Sequence, residues 1–531
     1  MSTVKRQFIR NTFSGWFAQL STTIVGFIML PYNLSHLGRE VYAISILAVF
    51  ATTLLQFLSL GMKPALLRFF SQAIAKKDQN EMAVLSSTAQ LLLGGLGLVG
   101  GLIIVAGAPL FIRFYEIAPV HQLETRTLLY CMGFTFFLSF HSIVYGSIVM
   151  ASSRYDLTNL NGILLNWLRL GMLFFLYNVF TPSLVMLGVA MLVGSVCSYL
   201  LIMWHSFRLH GRGVVFFSPT KVTWSRLPSL FTFSVYSMLS NVGAIITIQF
   251  SVMIIGKTLG KEMVAFFTPA VTMTTYLAAV LGQIALPLVP LAGRDLVETG
   301  GKNVGRWSIQ MGQLVACISY GFIFVVFFFI QDVLRVWLGN DFTWTSSVVI
   351  VMIVGGVFGS IQGVSSNLAL GASTIMHNAY SMVVVAVVAV AGTYLGTAYW
   401  GWGLWEVALW ITTARILRTM VFLPWVYAKL FSYRLSEYFN KVYIRPVLPG
   451  LLTLVVCLGL RRFVFPSSPG LIVLGVELAA VALAHAFFAW YIGLGKEVKA
   501  LILQARKKSP AVPSPPAVPS PPAVPSPPAE S

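Results

Sequence analysis

Leu37-Gly38-Arg39-Glu40-Val41-Tyr42-Ala43-Ile44-Ser45-Ile46-Leu47-Ala48-Val49-Phe50-Ala51-Thr52-Thr53-Leu54-Leu55 is answered, 222 residues later, by Leu259-Gly260-Lys261-Glu262-Met263-Val264-Ala265-Phe266-Phe267-Thr268-Pro269-Ala270-Val271-Thr272-Met273-Thr274-Thr275-Tyr276-Leu277. Nine of the nineteen positions are identical. Apolar composition alone does not supply a Leu-Gly-basic-Glu opening, because a helix dissolved in lipid has no need of one. The stretch therefore reads as the turn into one membrane helix and the helix itself, present twice. Six crossings separate the copies, so both run in the same direction. Such parallel repeats are related by an axis along the membrane normal, and a ligand cleft is expected between the two halves.

The surrounding chain is dissolved in lipid by the same reasoning. Of its 531 residues 57% are hydrophobic and only 10% charged, and the mean hydropathy is +0.82, whereas soluble domains carry about 25% charge. A helical crossing of a hydrocarbon layer roughly 30 Å thick takes about 20 apolar residues. Fourteen such runs are present, at about 11–34, 40–64, 84–111, 125–149, 156–179, 183–205, 228–256, 263–291, 308–331, 345–371, 376–397, 403–428, 446–464 and 469–494. They are continuous rather than alternating, which excludes a β-barrel. The fold class is thus an all-α polytopic membrane protein with about 14 transmembrane helices in two pseudo-symmetric lobes and a disordered C-terminal tail. The start from Met1 to Arg10 is basic, but the apolar run after it is span-length and has no small-residue cleavage site, so the first helix is expected to be retained. Cys131, Cys197, Cys317 and Cys457 all fall inside spans, which argues against a disulfide framework or a cysteine-rich metal site.

The net charge of +19 is distributed rather than clustered. With the N-terminus cytoplasmic, 23 of the 35 Lys and Arg fall on the inner side and eight on the outer. This positive-inside asymmetry places both termini in the cytoplasm and accounts for the basicity without nucleic acid. The segments expected are an N-lobe over 1–207 (spans 1–6), a basic inter-lobe segment over 208–227, a C-lobe over 228–430 (spans 7–12), spans 13 and 14 over 431–495, and a basic, then proline-rich tail over 496–531. Ala-Val-Pro-Ser-Pro-Pro occurs three times between 511 and 528, a composition that gives extended polyproline II chain and no core.

Four basic residues, Lys63, Arg169, Arg415 and Arg418, remain inside spans. A charge there costs at least about 2.5–3.5 kcal/mol on insertion scales, so such residues face a cavity or a partner. Arg169 and Arg415 lie near mid-depth in opposite halves and would suit an anionic ligand. Gln19 and its offset equivalent Asn241 are polar positions on the helices expected to face each other, suited to sugar hydroxyls or to interhelical hydrogen bonds. Glu406, Glu477 and Asp156 are the carboxylates placed to couple transport to an H+ or Na+ gradient, or else to pair with a buried base. No metal site or other cofactor is expected: His141 and His485 have no second ligand at suitable spacing. Phosphate-binding loops and nucleophile elbows are absent.

Three stretches carry a family resemblance: Asn11-Thr12-Phe13-Ser14-Gly15, the turn His36-Leu37-Gly38-Arg39-Glu40-Val41-Tyr42, and Leu60-Gly61-Met62-Lys63-Pro64-Ala65-Leu66-Leu67-Arg68-Phe69-Phe70 followed by Lys76-Lys77. They resemble polysaccharide-repeat flippases of the Wzx type, which share the multidrug/oligosaccharidyl-lipid/polysaccharide exporter superfamily with lipid II flippases and multidrug and toxin extruders. The resemblance implies a two-lobed inner-membrane transporter. It would move a polyprenyl-pyrophosphate-linked oligosaccharide between leaflets by alternating access, with membrane lipids, a polysaccharide polymerase and chain-length machinery as partners. A drug exporter of the same fold is the nearest alternative, but cationic drugs want acids in the cavity, and this sequence offers bases. An embedded polymerase or ligase would carry a large outer loop, and the outer loops here reach about fifteen residues. An enzyme is not expected.

Overall fold

The computed structural model describes residues 3–59, 62–223, 235–285, 288–372, 374, 376–463 and 470–500, and all regular structure among them is helical. The first helix, α1 (Thr3–Leu54), contains a break at Gly38 (φ 74°, ψ 169°). The apolar part of this run, Ser14–Ser59, has 46 residues and would extend roughly 70 Å if straight, more than twice the hydrocarbon thickness. It therefore crosses twice, folding back at Gly38 so that residues from both arms line one cavity. The duplicate turn behaves alike: Gly260, φ 100°, joins α7 (Val235–Thr258) to α8 (Lys261–Ala285). Both repeat glycines occupy the left-handed half of backbone space, which a residue with a Cβ reaches only at a cost.

A short helix, α2 (Met62–Ala75), follows the double crossing. Then come α3 (Gln79–Phe114), α4 (Pro119–Ala151), α5 (Tyr155–Val179) and α6 (Leu184–His210). Asp78 starts α3 by accepting a hydrogen bond from the Glu81 N–H at 2.9 Å, and Pro119 stands at the first position of α4, where its missing N–H costs nothing. The second lobe holds α7, α8, the amphipathic α9 (Leu288–Thr299), α10 (Val304–Leu338), α11 (Ser346–Gly371), α12 (Met376–Tyr399) and α13 (Leu404–Leu430). After it stand α14 (Leu435–Arg462) and α15 (Ile472–Gly493). Among the described residues 12 helices are long and apolar enough to cross a membrane; counting the two arms of α1 separately and adding the shorter apolar stretch Val242–Thr258 of α7 gives the fourteen runs read from the sequence, with helix ends that differ by as much as eleven residues, at the start of α14.

Packing inside a lobe uses small residues. A Cβ on Gly101 of α3 would lie 2.7 Å from the Gly133 carbonyl oxygen of α4, and one on Gly133 would lie 2.8 Å from that of Gly101. The backbones touch, which lets dispersion replace the hydrophobic drive that lipid does not provide. The lobes meet along α1, which packs on α7 and α8. The α14–α15 pair is fixed to α10 by charge: Arg461 Nε donates to Glu477 at 2.6 Å, its Nη2 donates to Asp332 at 2.6 Å, and Arg335 holds Asp332 from the other side at 2.9 Å. His485 joins the same seam through Thr453 at 2.7 Å and the Cys317 carbonyl at 2.8 Å. The tail from 501 onward, with its Ala-Val-Pro-Ser-Pro-Pro repeats, lies outside the described residues.

Candidate functional site

Between the lobes is a cavity of about 590 Å³, within the roughly 300–1,000 Å³ of small-molecule sites. The duplication supplies two of its walls. Ile46, Val49, Phe50 and Thr53 on the second arm of α1 line it together with their offset equivalents Thr268, Val271, Thr272 and Thr275 on α8. A helix presents the same face in both copies because side chains three and four apart share a face. Thr53 and Thr275 each return their hydroxyl hydrogen to a carbonyl four residues back, Val49 and Val271 respectively, at 2.8 Å, leaving oxygen lone pairs for a ligand. Gly26 makes room on the first arm of α1: a Cβ there would fall on the Tyr276 hydroxyl.

One charge enters this cavity. Arg169 comes from α5, and the lining contains no carboxylate. Its Nε is buried without a hydrogen-bond partner, and the described residues offer the guanidinium no ion pair. Gln249 Oε1, also on the wall, is buried and unsatisfied as well. Buried polar groups in folded proteins are nearly always satisfied, so two exceptions on one cavity wall call for an explanation.

The other residues singled out in the sequence divide. Arg415 sits beside Gly359 of α11, with a Cβ there 3.5 Å from its Nη2, and does not line the interlobe cavity. Arg418 is held within its lobe by Ser381 (3.0 Å) and Asn378 (2.5 Å) on α12; it lies inside a π-helical turn at Leu417–Phe422, which Arg415 precedes. Lys63 opens into a separate pocket of the first lobe. Gln19 is half-buried on the first arm of α1, off the cavity wall, and the side chain of Asn241 lies outside the described residues. Of the carboxylates, Glu406 is exposed in the first turn of α13, where it accepts from the Gly403 N–H at 2.9 Å. Asp156 pairs with Arg154 at 3.0 Å, and Glu477 with Arg461 as above. The sequence does not single out Asn33, Gln249, Thr268, Thr272 or Tyr276; the repeat identities Val49/Val271 and Thr53/Thr275 are a signal for the face of α8 that carries Thr268, Thr272 and Tyr276, whereas Asn33, on the first arm of α1, and Gln249, on α7, have no such signal.

Ion pairs cross between lobes on the membrane face that carries the Gly38 and Gly260 turns. Arg39 bonds Asp341 and lies 5.2 Å over the Phe266 ring, Lys261 pairs with Glu40 at 3.0 Å, and Lys257 pairs with Glu116 at 2.7 Å. Tyr115 donates to the Met253 carbonyl at 3.4 Å. Arg39 and Lys261 are equivalent positions of the repeat, so each lobe's basic turn residue reaches an acid of the other. The Lys257 ammonium, hydrogen-bonded to Glu116, holds that carboxyl below the usual range. Just below, Trp337 Nε1 donates to the Phe27 carbonyl at 2.7 Å and its ring packs 4.6 Å from Phe27. Two further pockets flank the cavity: an apolar one of about 570 Å³ between the end of α1, α3 and α7, and a mainly apolar one of about 1,020 Å³ between α1, α10 and α15, whose lining also includes Tyr32, Ser35 and Arg39.

This is the fold of transporters of the MOP superfamily. Two solved structures superpose with a TM-score of 0.66: an inward-facing multidrug resistance MATE family transporter, 16% identical, over 80% of this chain and 99% of that one, and the lipid II flippase MurJ in an inward closed conformation, 14% identical, over 90% and 99%. A MOP superfamily transporter from Pyrococcus furiosus, described as having a binding pocket of reversed polarity, superposes with a TM-score of 0.58 at 17% identity, over 81% and 96%. No family model and no curated protein matches the sequence.

Proposed function

We propose that this protein is an inner-membrane flippase that carries a polyprenyl-pyrophosphate-linked oligosaccharide from the cytoplasmic to the periplasmic leaflet by alternating access, for surface polysaccharide synthesis. The observation that carries this reading is Arg169, a guanidinium without a counter-ion in an interlobe cavity whose lining has no acid. A cationic drug would meet repulsion there, while a pyrophosphate would complete the site with charge-assisted hydrogen bonds. Mainly apolar pockets on either side suit a cargo whose head is polar and whose tail stays in lipid. The basic asymmetry of the loops puts the termini in the cytoplasm, so the ion-paired face is the periplasmic one and the conformation is closed to the periplasm. The lipid II flippase among the structural neighbours supports a lipid-linked cargo. The multidrug exporter reading is supported by a MATE neighbour of equal TM-score and is opposed by the cavity's charge.

Energy for the cycle would come from an H+ or Na+ gradient, and polymerase and chain-length proteins would receive the product. Arg415 acts on this reading as a second basic group of the C-lobe, reached as the lobes move. The test is surface polysaccharide in a deletion strain complemented with Arg169→Ala, Arg169→Lys and the Arg169→Ala/Arg415→Ala double variant. Losing a charged hydrogen bond to the head group, about 1.5–3 kcal/mol, should reduce output about tenfold or more for Arg169→Ala, with partial recovery in Arg169→Lys. Full polymer from the double alanine variant at normal protein level would overturn the proposal.

A further inference from the structure

A further cavity, of about 340 Å³, lies within the first lobe and shares no lining residue with the interlobe cavity. Its polar wall is Lys63 from α2, Ser139 and Ser142 from α4, and Tyr155, Thr158, Asn159 and Asn161 from α5, with the Thr158 hydroxyl donating to the Tyr155 carbonyl at 2.9 Å; no acid is present in the lining. Hydrogen-bond accounting shows what it lacks. Ser139 and Ser142 donate their hydroxyl hydrogens to the Phe136 and Leu138 carbonyls at 2.7 and 2.9 Å. Asn159 and Asn161 each spend an amide hydrogen on a serine, Ser14 and Ser198, at 2.9 Å. These four offer inward the lone pairs of two hydroxyls and two amide oxygens against one remaining N–H on each asparagine, so acceptors outnumber donors, and Asn161 Oδ1 is buried with no partner among the described residues. Lys63 is exposed and has no bond or ion pair among the described residues.

A ring of acceptors beside one ammonium fits a ligand that donates several hydrogen bonds and carries a negative charge. A polyol with an acidic group has that chemistry; a cationic amphiphile has the wrong sign, and a plain anion cannot use the acceptors. We propose that this pocket is a glycan subsite for a sugar residue bearing a carboxylate or a phosphate, engaged from the terminal, Lys63-bearing side of the membrane. The proposal rests on the flippase reading above for its biological cargo, but the pocket can be tested without transport.

Gly146 provides a clean block, since a Cβ there meets nothing within 4 Å and a larger side chain extends into the cavity. The probes are methyl glucuronide, glucose 1-phosphate and uncharged methyl glucoside, each followed by saturation-transfer NMR on the purified full chain in nanodiscs. Binding of either charged sugar at least tenfold tighter than methyl glucoside is expected, the size of one charge-assisted hydrogen bond. Glucuronide preference identifies an acidic sugar as the source of the charge, and phosphate preference a sugar phosphate. Lys63→Gln should erase the preference, and Gly146→Leu should abolish binding of all three while melting at the wild-type temperature. Equal binding of the three sugars, no binding, or binding that survives Gly146→Leu would overturn the subsite. These outcomes are independent of the polysaccharide yield of Arg169 variants, which alone decides the flippase reading.

Discussion

Replacing Arg461 by leucine strands Glu477. The Glu477 side chain is wholly buried, and Arg461 and Asp332 are each 14% exposed, so water can do little for the carboxylate once the guanidinium is gone. Asp332 is protected, because Arg335 still holds it at 2.9 Å. Removing one partner of a buried pair costs about 3–5 kcal/mol, and here nearly all of it falls on Glu477. Glu477→Leu is milder, about 1–3 kcal/mol, because Arg461 keeps Asp332. The Arg461→Leu/Glu477→Leu double variant removes one charge of each sign and leaves the Asp332–Arg335 pair neutral, so its loss should fall within about 1 kcal/mol of Glu477→Leu alone. The coupling between the two substitutions then nearly equals the whole Arg461→Leu cost, about 3–5 kcal/mol and favourable, far outside the roughly 0.5 kcal/mol of independent sites. Steric trapping or reversible denaturation of the purified chain in micelles measures all three free energies. Additive losses in the double variant would refute the idea that this network is what docks α14 and α15. Glu477→Gln also separates anchoring from ion coupling, since an altered gradient dependence of vesicle uptake at unchanged stability would show coupling instead.

The cross-lobe pairs are exposed and individually worth about 0.2–1 kcal/mol, weak enough to open. Arg39→Asp should raise the rate at which a cysteine at Thr272, on the wall of the interlobe cavity, is labelled by an impermeant thiol reagent added on the ion-paired face by up to about fivefold, and Arg39→Asp with Asp341→Arg should restore it; an unchanged rate in the single variant would remove these residues from the gate. Because Lys257 holds Glu116 below the usual carboxyl range, that pair is present at neutral pH and is lost as pH falls through the lowered value. Labelling, divided at each pH by the rate of a freely exposed control cysteine to remove the change in thiolate fraction, should therefore be flat across neutrality and rise only in acid. In the first lobe, Gly101→Ala forces a Cβ to 2.7 Å from a backbone oxygen and should cost about 1–3 kcal/mol. Gly95→Ala, whose Cβ meets nothing within 4 Å, should be neutral or stabilising; equal effects in a thermal melt would refute the close α3–α4 contact.

The sequence by itself determined the solvent, the number of crossings and the twofold plan. Apolar run length is a local quantity set by bilayer thickness, and a repeated Leu-Gly-basic-Glu turn keeps its backbone wherever it occurs, as φ 74° at Gly38 and 100° at Gly260 attest. It also isolated the buried bases, since a charge in lipid is conspicuous in any window. What it could not settle is the direction in which those side chains point. Arg169 and Arg415 have the same depth and chemistry in the sequence, yet one faces the interlobe cavity and the other packs beside Gly359. Glu477 reads as a lone intramembrane acid until α10 brings Asp332 and the close of α14 brings Arg461 against it. Partnership across 16 or 129 residues depends on how helices rotate about their axes and cross, and that is decided by close packing between helices, which only the tertiary structure contains.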